Sequence, residues 1–310
     1  MWTMKNILLL VILVVLTFSS LFIGVAELGM GNINILVLSR IPRVMSIILA
    51  GMSMSISGLI MQQLSRNRFV APSTATTVDA AKFGVLISLI VFPGSGSLVR
   101  MLITFVFSLL GTSLFMHFLR NMKEKNTIFV PLVGIMLGNI IDATTTLIAY
   151  RLDLVQNIST WMIGNFAVVI KGRYELLYLS IPLLLIAYFY AQRFTIAGMG
   201  EDFATNLGLN YQQVVNVGVA IVALLTALVT ITVGRIPYLG LVVPNIVTLY
   251  RGDNLKATIG TTALCGAVFL LGCDILGRVI IYPYEIAIGL TVGVIRSAAF
   301  LYLVLRRREQ

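Results

Sequence analysis

The chain is 310 residues long, 58% hydrophobic and only 11% charged, with a formal net charge of +10. Soluble domains carry about 25% charged residues, so a water-soluble enzyme or binding module is excluded. A polytopic membrane protein engaged in transport, sensing or intramembrane chemistry is expected, and anionic lipid headgroups account for the positive balance without nucleic acid.

Ten apolar blocks follow one another, near residues 6–27, 43–63, 80–92, 99–120, 127–149, 174–191, 211–233, 238–250, 257–277 and 285–305, with edges good to a few residues. They predict a single helical domain over 1–310 with no soluble module. The first block follows Lys5 and ends near Gly24-Val25-Ala26, a small-x-small cleavage pattern. Its length and the nine blocks after it favour a retained span over a signal peptide. The second block carries Gly51, Ser55 and Gly58 on one helical face. Small residues at such spacing let backbones approach closely, either as packing within one subunit or as a subunit interface or pathway wall. Arg40 and Arg43 bracket Pro42 at its mouth. They are read either as snorkelling residues or as a positive rim that receives an acidic partner.

The third block is short, follows a polar stretch, and is bordered by Asp79 and Lys82. Short or interrupted segments are tolerated only where protein surrounds them. The fourth contains the single histidine, His117, which alone makes no metal site. The fifth contains Asp142 and then Thr144, Thr145 and Thr146. Asp142 lacks an obvious local partner, and Thr145 and Thr146 share its helical face. A hydrophilic pathway wall and an interhelical hydrogen-bond cluster are both open. Between the sixth and seventh blocks lies the polar segment 193–210, where Glu201 and Asp202 suit the start of a short helix and Gly208 suits its end. That helix is a membrane-surface element or a knob for a soluble partner. Gly234, Pro237, Gly240 and Pro244 exclude one long helix across the seventh and eighth blocks. The ninth holds Cys265 and Cys273, read as packing residues, and Asp274 four residues before Arg278, spaced for an ion pair. The tenth opens on Glu285 and carries Gly289, Gly293 and Ser297 at four-residue spacing.

With the N-terminus inside and the spans alternating, the inner side receives thirteen basic residues, Lys5, Arg66, Arg68, Lys82, Arg120 and Lys123 among them, and the outer side eight. Both termini are therefore expected in the cytoplasm, with Arg306–Arg308 as an inner stop. No G-x-x-x-x-G-K-[ST], H-E-x-x-H or G-x-S-x-G occurs, so any ATP consumed is bound by another chain.

Several stretches taken together carry a resemblance. They are Arg40-Ile41-Pro42-Arg43; Gly51, Gly58 and Gln62; Arg66 through Ser73; Trp161-Met162-Ile163-Gly164; Ala204 with Leu207-Gly208; Gly234 through Pro244; Arg251 and Asp253; Gly266, Asp274 and Arg278; and Glu285, Gly289, Gly293 and Phe300. In this order, over nearly the whole chain, the sequence resembles the FecCD-like permease subunits of ABC importers for iron–siderophores, haem and vitamin B12. The resemblance implies an all-α membrane protein of about ten transmembrane helices with the type II importer fold, that of the vitamin B12 permease. It implies a pore of two permease subunits, identical or not, a separate ATP-binding-cassette ATPase, and an extracytoplasmic binding protein. It further implies that Arg40, Arg43 and Arg278 receive that binding protein. Glu201, Asp202, Ala204, Leu207 and Gly208 would form the coupling helix on the ATPase. Asp142, Thr145, Thr146, Gly289 and Gly293 would line the path. No catalytic residue, metal site or cofactor is implied in this chain, since a siderophore keeps its own iron.

The sequence departs from the family pattern at Asn245, where histidine is usual, and at Asn67-Arg68-Phe69-Val70, where Asn-Pro-Leu-Ala is usual. Thr76, Thr77 and Ala80 replace a glycine-rich stretch, and the late G-x-P-x-F lacks its proline. The Asn-Arg-Phe-Val form is similar to permeases for catecholate-type siderophores. The rivals are the same family importing haem or cobalamin, and a gradient-driven secondary transporter using Asp142. An intramembrane enzyme would need paired catalytic residues at one depth, and none are found.

Overall fold

A computed structural model describes residues 4–23, 36–122, 128–172 and 174–294. Gly24-Val25-Ala26, Lys123, Lys125, Arg173, Arg296, Ser297, Phe300 and Arg306–Arg308 lie outside the described residues. Each of the ten apolar blocks contains a helix or the start of one. Among the described residues, six segments are long and apolar enough by themselves to cross a membrane: Leu36–Leu64, Ser97–Asn121, Phe129–Arg151, Glu175–Gly198, Tyr211–Val233 and Leu255–Val279.

The axis of the bundle is α2, Ile41–Leu64, which begins with Pro42 in its first turn, where a missing N–H costs nothing. Of its most apolar stretch 83% is buried. It is surrounded by α7 (Ser180–Gly198), α9 (Tyr211–Val233), α10 (Leu239–Arg251) and α11 (Leu255–Val279). Close approach rests on the small residues of the second block. A Cβ on Gly51 would stand 2.6 Å from the Gly266 carbonyl oxygen of α11, and one on Gly58 would overlap the Gly240 backbone of α10. The small-residue face of α2 is thus packing within one subunit.

Helix α1, Met4–Phe22, lies against α11. A second group is formed by α3 (Thr77–Val91), α4 (Ser97–Asn121) and α5 (Phe129–Arg151), with α3 packed against both others. Short α3 is enclosed as expected: Val85 and Leu86 bury against Ala149 of α5 and Ile158 of α6, Val155–Met162. Only 22% of the apolar stretch of α5 is buried, which leaves one side of this helix open in the isolated subunit.

The last elements are α8, Glu201–Asn206, and a helical segment at 288–294. Asn210 and Asn254 cap α9 and α11, their side chains accepting from the amides of Gln213 (3.0 Å) and Ala257 (3.3 Å). Each satisfies a backbone donor that the first helical turn leaves unpaired. Pro244 lies inside α10 and removes one donor from its ladder, yet the 13-residue helix runs through it to Arg251 and ends at Gly252, whose φ of +78° suits glycine.

Candidate functional site

Three polar regions interrupt the apolar bundle. The first sits where α2 begins and α11 ends. Arg43 donates to Asp274 (2.8 Å) and to both oxygens of Glu285 (2.8 and 3.0 Å), and Arg278 reaches Asp274 at 2.7 Å along α11. The i,i+4 pair expected from spacing is present. The other contacts join residues far apart in the chain, and no local pattern announces them. Arg278 also donates to the carbonyls of Ser20 (3.0 Å) and Ile23 (2.8 Å) and to the Ser20 hydroxyl. Arg40 donates to the Leu21 carbonyl at 2.5 Å. Two arginines thus close the C-terminal end of α1, where unpaired carbonyls concentrate negative potential. Arg40 and Arg278 are buried, at 8% and 5% exposure, and they do not form an open rim. Arg43 and Glu285 are the more accessible members, with side chains 13% and 29% exposed.

The second region lies among α3, α5 and the break between α9 and α10. Lys82 Nζ sits 2.7 Å from Asp142, and Arg235 reaches Asp79 at 3.7 Å. Asp142 is the fourteenth residue of α5, about 20 Å along the helix from its start. Lys82 therefore lies level with the middle of α5, not at the inner surface where the alternation of spans put it. Nor is Asp142 without a partner. The missed signal was one acid and one base standing in two separate apolar blocks, since an isolated charge in lipid is costly and a matched pair much less so.

Thr145 is buried, its hydroxyl donating to the Ile141 carbonyl at 2.7 Å, whereas Thr144 and Thr146 are exposed. Beyond α6 the chain folds back against the end of α9. The Asn165 amide donates to the Val233 carbonyl (3.0 Å), the Arg235 amide to the Met162 carbonyl (3.1 Å) and the Gly289 amide to the Gly164 carbonyl (3.2 Å). Gly289 is thereby fixed to this junction, while a Cβ on Gly293 would meet open space. Arg100 stacks over Trp161 at 5.0 Å and ties α4 to the same place.

The third region is at the opposite end of α2. Helix α8 starts on Glu201 and Asp202, and Gly208 follows it at φ +78°, a left-handed conformation that suits glycine as a helix terminator. Ala204 is fully buried, and Leu207 and Phe203 are exposed at 57% and 48%. Arg120 of α4 spans the gap, donating to Gln212 at 2.7 Å and to Glu201 at 3.3 Å. Nearby, Arg68 makes a two-toothed pair with Asp253 (2.6 and 2.9 Å). Asn245, the departure from the usual histidine, donates to the carbonyls of Arg68 and Leu241, both at 2.8 Å. It thus pins the Asn67–Val70 loop to α10.

A buried axial helix, matched charges between apolar helices, a charged cluster at one end and a short projecting helix at the other describe a membrane permease. The chain belongs to the FecCD transport family, which matches residues 7–306. It is 56% identical to the petrobactin import system permease protein YclN of Bacillus subtilis, over 98% of this chain and 99% of that protein. It is 36% identical to the petrobactin import system permease protein FatD of Bacillus anthracis, over 99% and 93% respectively. Its fold is similar to that of a solved metal-chelate type ABC transporter in an inward-facing conformation, with a TM-score of 0.81 at 23% identity, covering 97% of this chain and 98% of that one.

Proposed function

We propose that this chain is the transmembrane subunit of an ABC importer for a ferric siderophore, with ferric petrobactin the first compound to test. The observation that carries the reading is the 56% identity, over nearly the full length of both chains, to a petrobactin permease. Two copies, or this chain and a similar one, form the pore, each contributing about ten spans. α5 is as sparsely buried as the span that includes α7, but its open side carries the polar Asp142 and Thr146, which supports a partner or a pathway there; these two and the open face at Gly293 belong to that wall. Thr145 and Gly289 act one layer behind it, by holding helix and junction in place. A wall of distributed weak contacts suits a bulky chelate, which must enter and also leave.

In this reading the arginine cluster faces outward and α8 faces the cytoplasm, with both termini inside. Arg40, Arg43 and Arg278 supply the positive charge that an acidic binding protein meets, and it meets Arg43 first, beside Glu285. A separate ATPase engages α8 through Glu201, Asp202 and the exposed Leu207, while buried Ala204 and the turn at Gly208 fix the helix to the bundle.

A strain lacking this permease should recover uptake of radiolabelled ferric petrobactin when the chain is restored, and lose it again when the ATPase is inactivated. Uptake that survives without the ATPase and follows an ion gradient would sink the reading. The gradient-driven alternative asks Asp142 to load and release a cation, and its 2.7 Å contact with Lys82 opposes that role.

A further inference from the structure

We propose that the cavity at the α8 end of the subunit is a binding site for one anionic phospholipid. The cavity has a volume of about 540 Å³ and lies between the end of α2 and helices α4, α8 and α9. Its wall changes character along its depth. Leu109, Met116, Val215 and Val219 line one part, and Arg66, Arg120, Gln212 and Asn216 line the other. An apolar slot continuous with a basic, amide-rich mouth fits a molecule with a hydrocarbon part and an anionic head. Basic pockets between transmembrane helices near the membrane surface are suited to anionic headgroups.

Charge narrows the class. The charged groups on the lining are Arg66, Arg120 and Glu201, one positive charge in excess, with His117 and Tyr211 beside them. Glu201 engages Arg120 at 3.3 Å, and among the described residues Arg66 makes no ion pair. Arg66 stands at φ +51°, in a left-handed conformation that non-glycine residues rarely adopt, just beyond the end of α2. A phosphodiester between the two guanidiniums neutralises the excess. A zwitterionic lipid leaves it in place.

Gln212 and Asn216 support the same occupant. They lie exposed on the first turns of α9, bonded to each other at 2.9 Å. Gln212 also accepts from Arg120 at 2.7 Å, and the donors left over on the two amides suit the hydroxyls and ester oxygens of a headgroup. An occupied site also competes with Glu201 for Arg120, which sets how firmly α8 is tied to α4. The assignment to the inner leaflet rests on the orientation given under the proposed function, whereas the binding itself does not.

The test is native mass spectrometry of the full chain in detergent, titrated with phosphatidylglycerol, phosphatidylcholine and inorganic phosphate. One phosphatidylglycerol should be retained through delipidation. R66Q/R120Q should weaken its binding by about thirtyfold, since each of the two basic contacts contributes on the order of 1 kcal/mol, and phosphatidylcholine should bind weakly to both. A second variant, A220W, fills the slot and leaves both arginines, and it should also lose the lipid. Thermal melts identify any variant that fails to fold. Equal binding of the two lipids, unchanged binding in both folded variants, or displacement of the lipid by equimolar phosphate would overturn the proposal. Because the readout needs neither ATPase nor chelate, failure of the transport reading leaves this result interpretable.

Discussion

The two charged ends of the subunit are built differently. At the arginine end, Arg43, Asp274 and Arg278 lie within the packed bundle, and every member has at least one charged partner. At the α8 end, Arg120–Glu201 and Arg68–Asp253 are both about half exposed, and Arg120–Glu201 borders the open cavity. Removing one partner of a buried pair strands a charge and costs about 3–5 kcal/mol, whereas an exposed pair contributes about 0–1 kcal/mol. The contrast implies a pre-assembled arginine end that presents a fixed surface, and an α8 end whose contacts exchange cheaply. An importer driven from one side needs that asymmetry, since the end that receives force must rearrange.

The sharpest way to break this comparison is Asp274→Ala. It leaves Arg43 and Arg278 facing each other inside the bundle and should cost about 3–5 kcal/mol, read as loss of folded protein on detergent size-exclusion chromatography. A mild effect would mean that water reaches the cluster freely. Next in size is Gly58→Val. The new side chain meets the Gly240 backbone, and overpacking of this kind costs about 1–3 kcal/mol, seen as a lower thermal midpoint. A neutral result would show that α2 and α10 separate easily.

Lys82→Met against Lys82→Met with Asp142→Asn tests the middle of the molecule. The single variant should be the less stable of the two, because it leaves a carboxylate without its cation. If Asp142→Asn alone abolishes uptake while the folded protein persists, Asp142 is more than a structural partner and the gradient-driven mechanism regains support. Glu285→Gln should leave stability nearly unchanged and tighten association with the binding protein, because it removes the carboxylate that already occupies Arg43. Weaker association, measured by surface binding to the purified subunit, would contradict an acidic partner at that spot. The smallest effect belongs to Arg120→Gln, below about 1 kcal/mol in a thermal melt. A loss as large as that of Asp274→Ala would erase the proposed asymmetry.

Much of the fold is legible in the order of the amino acids. Long apolar blocks define spanning helices because a backbone in hydrocarbon must satisfy its own hydrogen bonds. The short third block, the break around Gly234 and Pro237, the helix that starts at Glu201 and is closed by Gly208, and the Asp274–Arg278 pair are all local, written in residues within a turn or two of one another. The site is less legible. Arg43 and Glu285 are 242 residues apart, and Lys82 and Asp142 are 60 apart. Arg40 reads as a snorkelling or rim residue because nothing nearby in the chain announces that it closes the end of α1.

Hydropathy and turn chemistry alone therefore determined that this is a helical membrane protein with a projecting helix between two spans. Family-specific motifs scattered along the chain determined its kinship. Only tertiary packing decided which charges neutralise which, that the glycine face of α2 is internal, and that a two-toned cavity opens beside α8. The reason is geometric. Local patterns state which side of a helix avoids water or lipid, but the partner across the gap depends on which helix arrives there, at what depth and with what rotation.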